Sequence, residues 1–201
     1  MQTFGLVFQN FNLFPHYSVL KNVIDAPIHV QGRNKEEVCS EARALLAKMG
    51  LKDKENAMSK ILVISAHQDL AQSVSNRLIL EELEKHFGSK ASVRRLSDLY
   101  PDFNINVAAE QAALVEANVV VLQYPTFWFN TPAILKKWLD DVWYGTGGDK
   151  LHGKKLFVST TTGSPAEVYN GQTVPLIETL VKPVEASALY SGFVWQGVEP
   201  L

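Results

Sequence analysis

The sequence lacks several features that would each assign a protein to a class. Cys39 is the only cysteine, which excludes an intrachain disulfide and a thiolate metal cluster and gives no sign of an oxidising compartment. No segment approaches the ~20 apolar residues of a membrane-spanning helix, and the N-terminus lacks the layout of a signal peptide. Lysine and arginine total 19 against 21 acidic residues, so charge does not favour nucleic acid or a membrane surface as a partner. We predict a cytoplasmic protein without membrane insertion.

Compact catalytic clusters are missing as well. The sequence contains no Ser/His/Asp arrangement, no pair of carboxylates in a loop and no cluster of metal ligands, so we predict no metal site. His16, His29, His86 and His152 are scattered single residues. Any site must therefore be assembled from loops that the fold brings together.

From Met58 onward, strand and helix patterns alternate, which predicts a parallel sheet. The run Val119–Leu122 is apolar and β-branched, typical of a strand buried on both faces. The five predicted strands are Ile61–Ser65, Ala91–Leu96, Val119–Leu122, Lys155–Thr160 and Ala188–Trp195. Helices between them predict a flavodoxin-like, doubly wound α/β sheet of strand order 2-1-3-4-5. The sequence stops soon after the last strand, without a closing C-terminal helix, so we expect one sheet face to be partly bare.

Two of the predicted helices have clear apolar stripes. The helix that starts at Ser73 is expected to bury Val74, Leu78, Ile79, Leu83 and Phe87. The helix that follows the central strand is expected to bury Ile134, Leu135, Trp138, Leu139, Val142 and Trp143.

Residues 1–57 form a separate, mainly helical appendage with a linker in our interpretation, and residues 58–201 form the second domain. Asn34 and Glu37 predict the start of a helix that buries Val38, Ala42, Leu45, Leu46 and Met49 and ends at Gly50. Residues 4–54, through Val7-Phe-Gln-Asn-Phe-Asn-Leu-Phe-Pro-His16, resemble part of the ATP-binding subunit of polar amino-acid ABC transporters. No phosphate-binding loop precedes this segment, so we predict no ATP hydrolysis.

Three loops follow strands one, three and four and should converge at the carboxyl edge of the sheet. His67, Ser73 and Asn76 lie at a helix N-terminus, which suits a phosphate, although these residues alone favour the plainer interpretation of Ser73 as a cap and His67 as a surface residue. The loop Tyr124–Asn130 is rich in aromatic residues, which a flat ligand or a partner subunit would explain. In the third loop, Thr161–Ser164 is small and hydroxyl-rich, and Tyr169 is a candidate to donate a proton or to stack, although most loop tyrosines do neither.

Residues 58–201 as a whole resemble flavin-dependent NAD(P)H:quinone oxidoreductases, including the ancillary subunits of glutathione-gated potassium efflux systems. The motifs that carry the resemblance are Ala66-His67 with Ser73 and Asn76, Leu99-Tyr-Pro-Asp-Phe-Asn104, Gln123-Tyr-Pro-Thr-Phe-Trp-Phe129, Pro132-Ala-Ile-Leu-Lys-Lys-Trp138, Thr161-Thr-Gly163 and Tyr190-Ser-Gly192.

The resemblance implies a bound FMN or FAD, with NAD(P)H as co-substrate and a quinone-type acceptor. It places the flavin phosphate at His67, Ser73 and Asn76. The ring would lie on Pro125, Thr126, Phe127, Trp128 and Phe129, and its opposite rim would meet Thr161, Thr162 and Gly163. Tyr169 corresponds to the family's active-site tyrosine. A homodimer and a membrane-transporter partner are also implied.

The sequence departs from the family pattern in ways that predict reduced activity. A few residues are missing before Tyr144-Gly-Thr-Gly-Gly148, Ser164 replaces a glycine, and a histidine expected near Gly171-Gln172 is absent. These departures keep a second hypothesis open, a non-catalytic regulatory or interaction module with the same fold. An ABC-transporter ATP-binding fragment is the third and least favoured hypothesis.

Overall fold

A computed structural model describes residues 18–49 and 60–200 of the chain. The chain divides into two compact units, Met1–Ser59 and Lys60–Leu201. The motif of residues 7–16, on which the ATP-binding-subunit resemblance rests, and the polar linker around residues 52–56 lie outside the described residues. In the described part of the chain, no helix is long and apolar enough to cross a membrane.

The first unit contains two helices, α1 (Val19–His29) and α2 (Lys35–Lys48). The predicted cap of α2 is confirmed, because Asn34 Oδ1 accepts hydrogen bonds from the N–H groups of Glu36 and Glu37 at 2.9 and 3.3 Å. The buried face of α2 is Val38, Ala42 and Leu46. The predicted apolar stripe of α2 was wrong at Leu45 and Met49, which are exposed.

The second unit is built on five parallel strands in the order β2-β1-β3-β4-β5, which confirms the predicted topology. The strands are β1 (Ile61–Ser65), β2 (Ala91–Arg95), β3 (Val119–Pro125), β4 (Lys155–Thr161) and β5 (Val194–Pro200). The connecting helices are α3 (Val74–Phe87), α4 (Leu96–Leu99), α5 (Val107–Glu116), α6 (Ala133–Trp138), α7 (Tyr144–Thr146), α8 (Gly148–Leu151), α9 (Ile177–Leu180) and α10 (Lys182–Tyr190). A π-helical turn, Leu139–Trp143, joins α6 to α7.

The predicted position of the last strand was wrong. Residues 188–190 complete α10, and β5 begins only at Val194. Pro183 lies in the first turn of α10, where its missing N–H costs nothing, and Gly192 follows the helix end at a φ of 82°. The apolar run therefore starts as helix and becomes strand only after this turn.

One face of the sheet, which we call the covered face, carries most of the core. Val120, Leu122, Leu156 and Val158 pack there against the helices α5, α6 and α10. The predicted stripe of the central helix is confirmed, with Trp138 fully buried. This packing fixes the loop that leads from β3 into α6.

The opposite face, which we call the α3 face, is less completely covered. Leu80 of α3 packs against Val63 and Val119, while Phe157 of β4 remains 38% exposed. The predicted stripe of α3 was wrong at its first half, because Val74 and Leu78 are 63% and 51% exposed. The first inward-facing position of the helix holds Asn76, a polar residue that an apolar pattern does not detect.

A buried carboxylate ties the helices of the covered face together. Glu110 is fully buried and accepts hydrogen bonds from the Arg94 guanidinium, from Tyr100 Oη at 2.7 Å and from Trp138 Nε1 at 3.0 Å. Burial and the adjacent carboxylate raise the pKa of Tyr100. Because each oxygen of Glu110 is paired, the cluster fixes α5 against β2 and α6.

Candidate functional site

The three predicted loops meet at one edge of the sheet because β1, β3 and β4 are adjacent and parallel. The N–H of Ala66 donates to the Gln123 carbonyl at 3.0 Å, and the N–H of Thr126 donates to the Thr161 carbonyl at 2.8 Å. The rings of His67 and Phe127 lie edge to face with centroids 6.0 Å apart. Residues at least 35 positions apart in the sequence thus lie together at this edge.

The first part of the site is the N-terminus of α3. Ser73 is its N-cap, and Ser73 Oγ accepts from the N–H of Asn76 at 3.3 Å. The N–H groups of Val74 and Ser75 have no partner within the helix, as at every helix start. His67 Nδ1 accepts from the N–H of Asp69 at 3.1 Å, which leaves the ring proton on Nε2. Helix dipole, hydroxyl and imidazole together suit an anion.

The second part is a tight aromatic turn between Phe127 and Asn130. Their main chains exchange two hydrogen bonds of 3.0 Å, and the two residues between them, Trp128 and Phe129, have φ values of 45° and 63°. Positive φ at both central positions is the geometry of a type I′ turn, which favours Asn and Gly. Bulky residues in this conformation are strained, and such strain concentrates at binding sites. Trp128 is 93% exposed at the tip.

The third part is the loop after β4, which closes a cavity against the aromatic turn. The cavity has a volume of about 520 Å³. Its lining residues are Thr126, Phe127, Trp128, Phe129, Gly163, Ser164, Val168, Tyr169 and Val174. An added Cβ at Gly163 would meet no atom within 4 Å, so the main chain there borders open space.

The structure therefore brings together six of the predicted site residues around this cavity. They are Thr126, Phe127, Trp128, Phe129, Gly163 and Tyr169. Pro125 and Thr161 pair in the sheet directly below them, and Thr162 Oγ1 donates to the Ser164 carbonyl at 2.8 Å. Ser73 caps α3 instead, and His67 lies in the loop that precedes it, against the ring of Phe127. Ser164, which belongs to the predicted hydroxyl-rich loop, also lines the cavity, whereas Val168 and Val174 were not predicted because their residue types carry no signal for a ligand.

A row of hydrogen-bonded polar side chains lies under the site on the α3 face, and we call it the polar row. It consists of Ser65, Gln123, Asn76, Ser73 and Thr161, of which all but Ser73 are buried. Ser65 Oγ donates to Gln123 Oε1 at 2.9 Å, and Gln123 Nε2 donates to Asn76 Oδ1. Asn76 Nδ2 donates to Ser73 Oγ at 2.9 Å and to Thr161 Oγ1 at 3.0 Å.

The placement of Asn76 differs from that of the other predicted ligands. It is 3% exposed, and both atoms of its amide bond to protein groups. A contact between Asn76 and a phosphate stays a prediction. The sequence did contain a signal for the row, because Gln123 interrupts an otherwise apolar strand, and a buried polar side chain requires partners.

Comparison with known proteins agrees with this architecture. Residues 59–199 match the family described as Flavodoxin-like fold. The glutathione-regulated potassium-efflux system ancillary protein KefF of Enterobacter sp. (strain 638) is 39% identical over 140 residues, covering 67% of this chain and 78% of that protein. The protein of the same name from Salmonella arizonae is 41% identical over the same length and with the same coverage.

Solved structures give the same result. General stress protein 14 of Treponema denticola, solved in complex with FMN, superposes with a TM-score of 0.66 at 30% identity, covering 70% of this chain and 84% of that one. An NADPH-quinone reductase from P. pentosaceus superposes with a TM-score of 0.61 at 26% identity, covering 71% and 84%. The family match begins at residue 59, so the ATP-binding-subunit resemblance of residues 4–54 stays a prediction. The fold, the convergent loops and these relatives together establish that the chain belongs to the flavodoxin-like NAD(P)H quinone oxidoreductase family, which includes the KefF ancillary proteins.

Proposed function

We propose that residues 58–201 bind a flavin in the cavity between the aromatic turn and the loop after β4, and transfer reducing equivalents from NAD(P)H to a quinone-type acceptor. The observation that carries this proposal is the cavity of about 520 Å³, which is bordered by an aromatic wall whose Phe127 ring contacts His67 of the loop before α3. Small-molecule sites have volumes of roughly 300–1,000 Å³ and combine apolar walls with few polar groups. FMN is the first flavin to test, because a relative was solved with it.

The residues present fit a flavin mononucleotide. Among the described residues, the N–H groups of Trp128, Phe129 and Gly163 have no acceptor and are available to the polar edge of a ring. The start of α3, with Ser73 and His67 beside it, is available to a phosphate. The open space at Gly163 allows a flat ring to approach the main chain closely.

A bound flavin would supply two-electron redox chemistry between a nicotinamide as hydride donor and a quinone as acceptor. The chain supplies binding, orientation and exclusion of water. The strained turn holds the rings of Phe127 and Phe129 as a wall, and Tyr169 lines the cavity with a phenol that can donate a hydrogen bond to a carbonyl oxygen. The exposed Trp128 suits contact with a second subunit of a homodimer, which we propose completes the site.

A second proposed function is that of an ancillary partner of a potassium-efflux transporter, with or without catalysis. The names of the relatives from Enterobacter sp. and Salmonella arizonae support it. The two functions differ in one simple property, since only the oxidoreductase requires a bound flavin. If the flavin-free protein copurifies with a potassium-efflux transporter, that result would favour the ancillary role alone.

The visible absorption spectrum of the purified protein tests the proposal directly. We expect the two bands of an oxidised flavin, near-stoichiometric cofactor on release, and bleaching of the bands on addition of NADH or NADPH that is reversed by a quinone. Chromatography of the released cofactor distinguishes FMN from FAD. A colourless protein that binds neither added FMN nor added FAD would contradict the oxidoreductase proposal.

A substitution at Gly163 makes this test specific for the cavity. Gly163→Leu extends a side chain into open space without a clash, so the fold should persist while the cavity is filled. We expect flavin affinity to fall by about tenfold or more, measured by quenching of flavin fluorescence. The control Ala108→Leu enlarges an exposed position of α5 and should leave affinity unchanged. Equal flavin binding by both variants would place the cofactor elsewhere.

A further inference from the structure

Within the polar row, the hydrogen bonds that lead from Ser65 through Gln123 and Asn76 to Ser73 all run in the same direction. The Ser65 hydroxyl donates to the carbonyl oxygen of Gln123, and the Gln123 amide nitrogen donates to the carbonyl oxygen of Asn76. The Asn76 amide nitrogen then donates to Ser73 Oγ at 2.9 Å. Because an amide accepts only through oxygen and donates only through nitrogen, each residue fixes the orientation of the next one.

This direction determines what the Ser73 hydroxyl can do. Ser73 Oγ accepts from two groups that can only donate, the Asn76 amide nitrogen at 2.9 Å and the Asn76 main-chain N–H at 3.3 Å. A hydroxyl has two acceptor lone pairs and one proton. Both lone pairs are occupied, and the proton has no acceptor among the described residues. Ser73 is thereby held as a pure donor at the N-terminus of α3.

Thr161 joins the row to the other loop of the site. Thr161 Oγ1 accepts from Asn76 Nδ2 at 3.0 Å and donates to Asn76 Oδ1 at 3.3 Å. Its main-chain carbonyl accepts the N–H of Thr126, at the start of the aromatic turn. Asn76 therefore sits between the α3 N-terminus and the loops that border the cavity.

We propose that Asn76 and Gln123 are positioning residues, which act through Ser73 and orient its hydroxyl as a donor to a phosphate oxygen of the bound flavin. This inference rests on the proposed flavin site and deepens it. It gives Asn76 an indirect role in place of direct contact with the phosphate. It also explains why a five-residue polar row occupies the α3 face at the carboxyl end of the sheet. The row selects an anionic acceptor at one position, and the aromatic turn accommodates the ring without regard to the phosphate.

The decisive measurement compares FMN with riboflavin, which has the same ring and no phosphate. Flavin-free protein is titrated against each ligand, and the dissociation constants are obtained from the quenching of the ligand's flavin fluorescence. Asn76→Asp keeps the size of the side chain, but its carboxylate only accepts, so the Ser73 proton turns to it and a negative charge lies beside the phosphate site. We expect FMN affinity to fall by about tenfold or more while riboflavin affinity changes by less than about threefold.

Further variants keep the proposal testable if Asn76→Asp does not fold. Ser73→Ala removes the donor and should reduce the preference for FMN over riboflavin in the same way, whereas Ser73→Thr should retain it. The matched control is Asn106→Asp, the same change at the N-cap of α5, where the side chain accepts from the N–H of Ala109 at 3.1 Å. This control should leave both dissociation constants unchanged.

The outcomes separate the inference from the function on which it rests. A wild-type protein that binds neither FMN nor riboflavin overturns both. Equal losses of FMN and riboflavin affinity in Asn76→Asp or Ser73→Ala overturn the positioning role and leave the flavin site standing, because a general loosening of the site affects both ligands. A selective loss of FMN affinity supports the inference.

Discussion

The two faces of the sheet use the same strands for different purposes. On the covered face, β3 and β4 contribute Leu122 and Leu156 to an apolar core closed by three helices. On the α3 face, the next residues along the same strands are Gln123 and Phe157, one in the polar row and the other 38% exposed. Because successive side chains of a strand point to opposite faces, neighbouring positions can serve stability and binding independently. Substitutions at adjacent residues should therefore have very different effects.

The largest difference is expected between Leu156→Ala and Phe157→Ala. Leu156 is fully buried, so its truncation leaves a cavity and should reduce the free energy of unfolding by about 2–5 kcal/mol. Phe157 is partly exposed, and its truncation should cost about 1 kcal/mol or less. Urea unfolding followed by circular dichroism measures both. Similar losses for the two variants would mean that the α3 face is as well packed as the covered face.

A smaller difference in stability is expected between alanine variants of the two serines that flank Gln123 in the sheet. Gln123 pairs in register with Ser65 on one side and Ser159 on the other. Ser65→Ala leaves the Gln123 carbonyl oxygen without its donor and should cost about 1–3 kcal/mol. Ser159 Oγ is buried and has no hydrogen-bond partner within residues 18–49 and 60–200. Ser159→Ala should therefore be neutral or slightly stabilising in the same unfolding assay.

The smallest effect should appear only at alkaline pH. Burial raises the pKa of Tyr124, which projects into the covered face. The unfolded chain loses this proton near pH 10 while the folded chain keeps it, so stability is full below about pH 10 and falls as pH rises further. At about pH 11 the loss attributable to Tyr124 approaches ~1.4 kcal/mol.

Tyr124→Phe should abolish that part of the alkaline loss, as measured by urea unfolding at successive pH values. Tyr190→Phe, at a side chain that is 92% exposed, is the matched control and should follow the wild-type curve. Identical alkaline slopes for wild type and Tyr124→Phe would contradict the assignment. The polar row contains no titratable side chain, so this experiment distinguishes the two faces.

The architecture could be predicted well from the sequence because the central strands are apolar runs and strands alternate with helices. Four of the five observed strands, β1 to β4, begin at the predicted residue, and the topology follows from the alternation of strands with helices. The last strand was misplaced because Ala188 and Leu189 are as compatible with a helix as with a strand, and Pro183 decides between them.

The site was predicted less completely than the fold, for two physical reasons. Apolar periodicity assumes that inward positions are apolar, so it assigned the buried face of α3 to Val74 and Leu78 and passed over Asn76. The type I′ turn was also invisible, since Trp128 and Phe129 are not residues that favour positive φ. Both exceptions fall at the candidate site, where local preference yields to binding.

The topology also has a consequence for the order in which the chain folds. β1 lies in the interior of the sheet, but its neighbour β3 is distant in sequence. The hydrogen-bonded residues Ser65 and Gln123 are separated by 58 residues. At a ribosomal rate of roughly 5–20 residues per second, β1 waits about 3–12 seconds for that neighbour. During this interval β2 can pair with β1, and the other edge of β1 stays open on the nascent chain. Closure of β3 onto β1 is therefore the step at which misfolding and chaperone binding compete with productive folding.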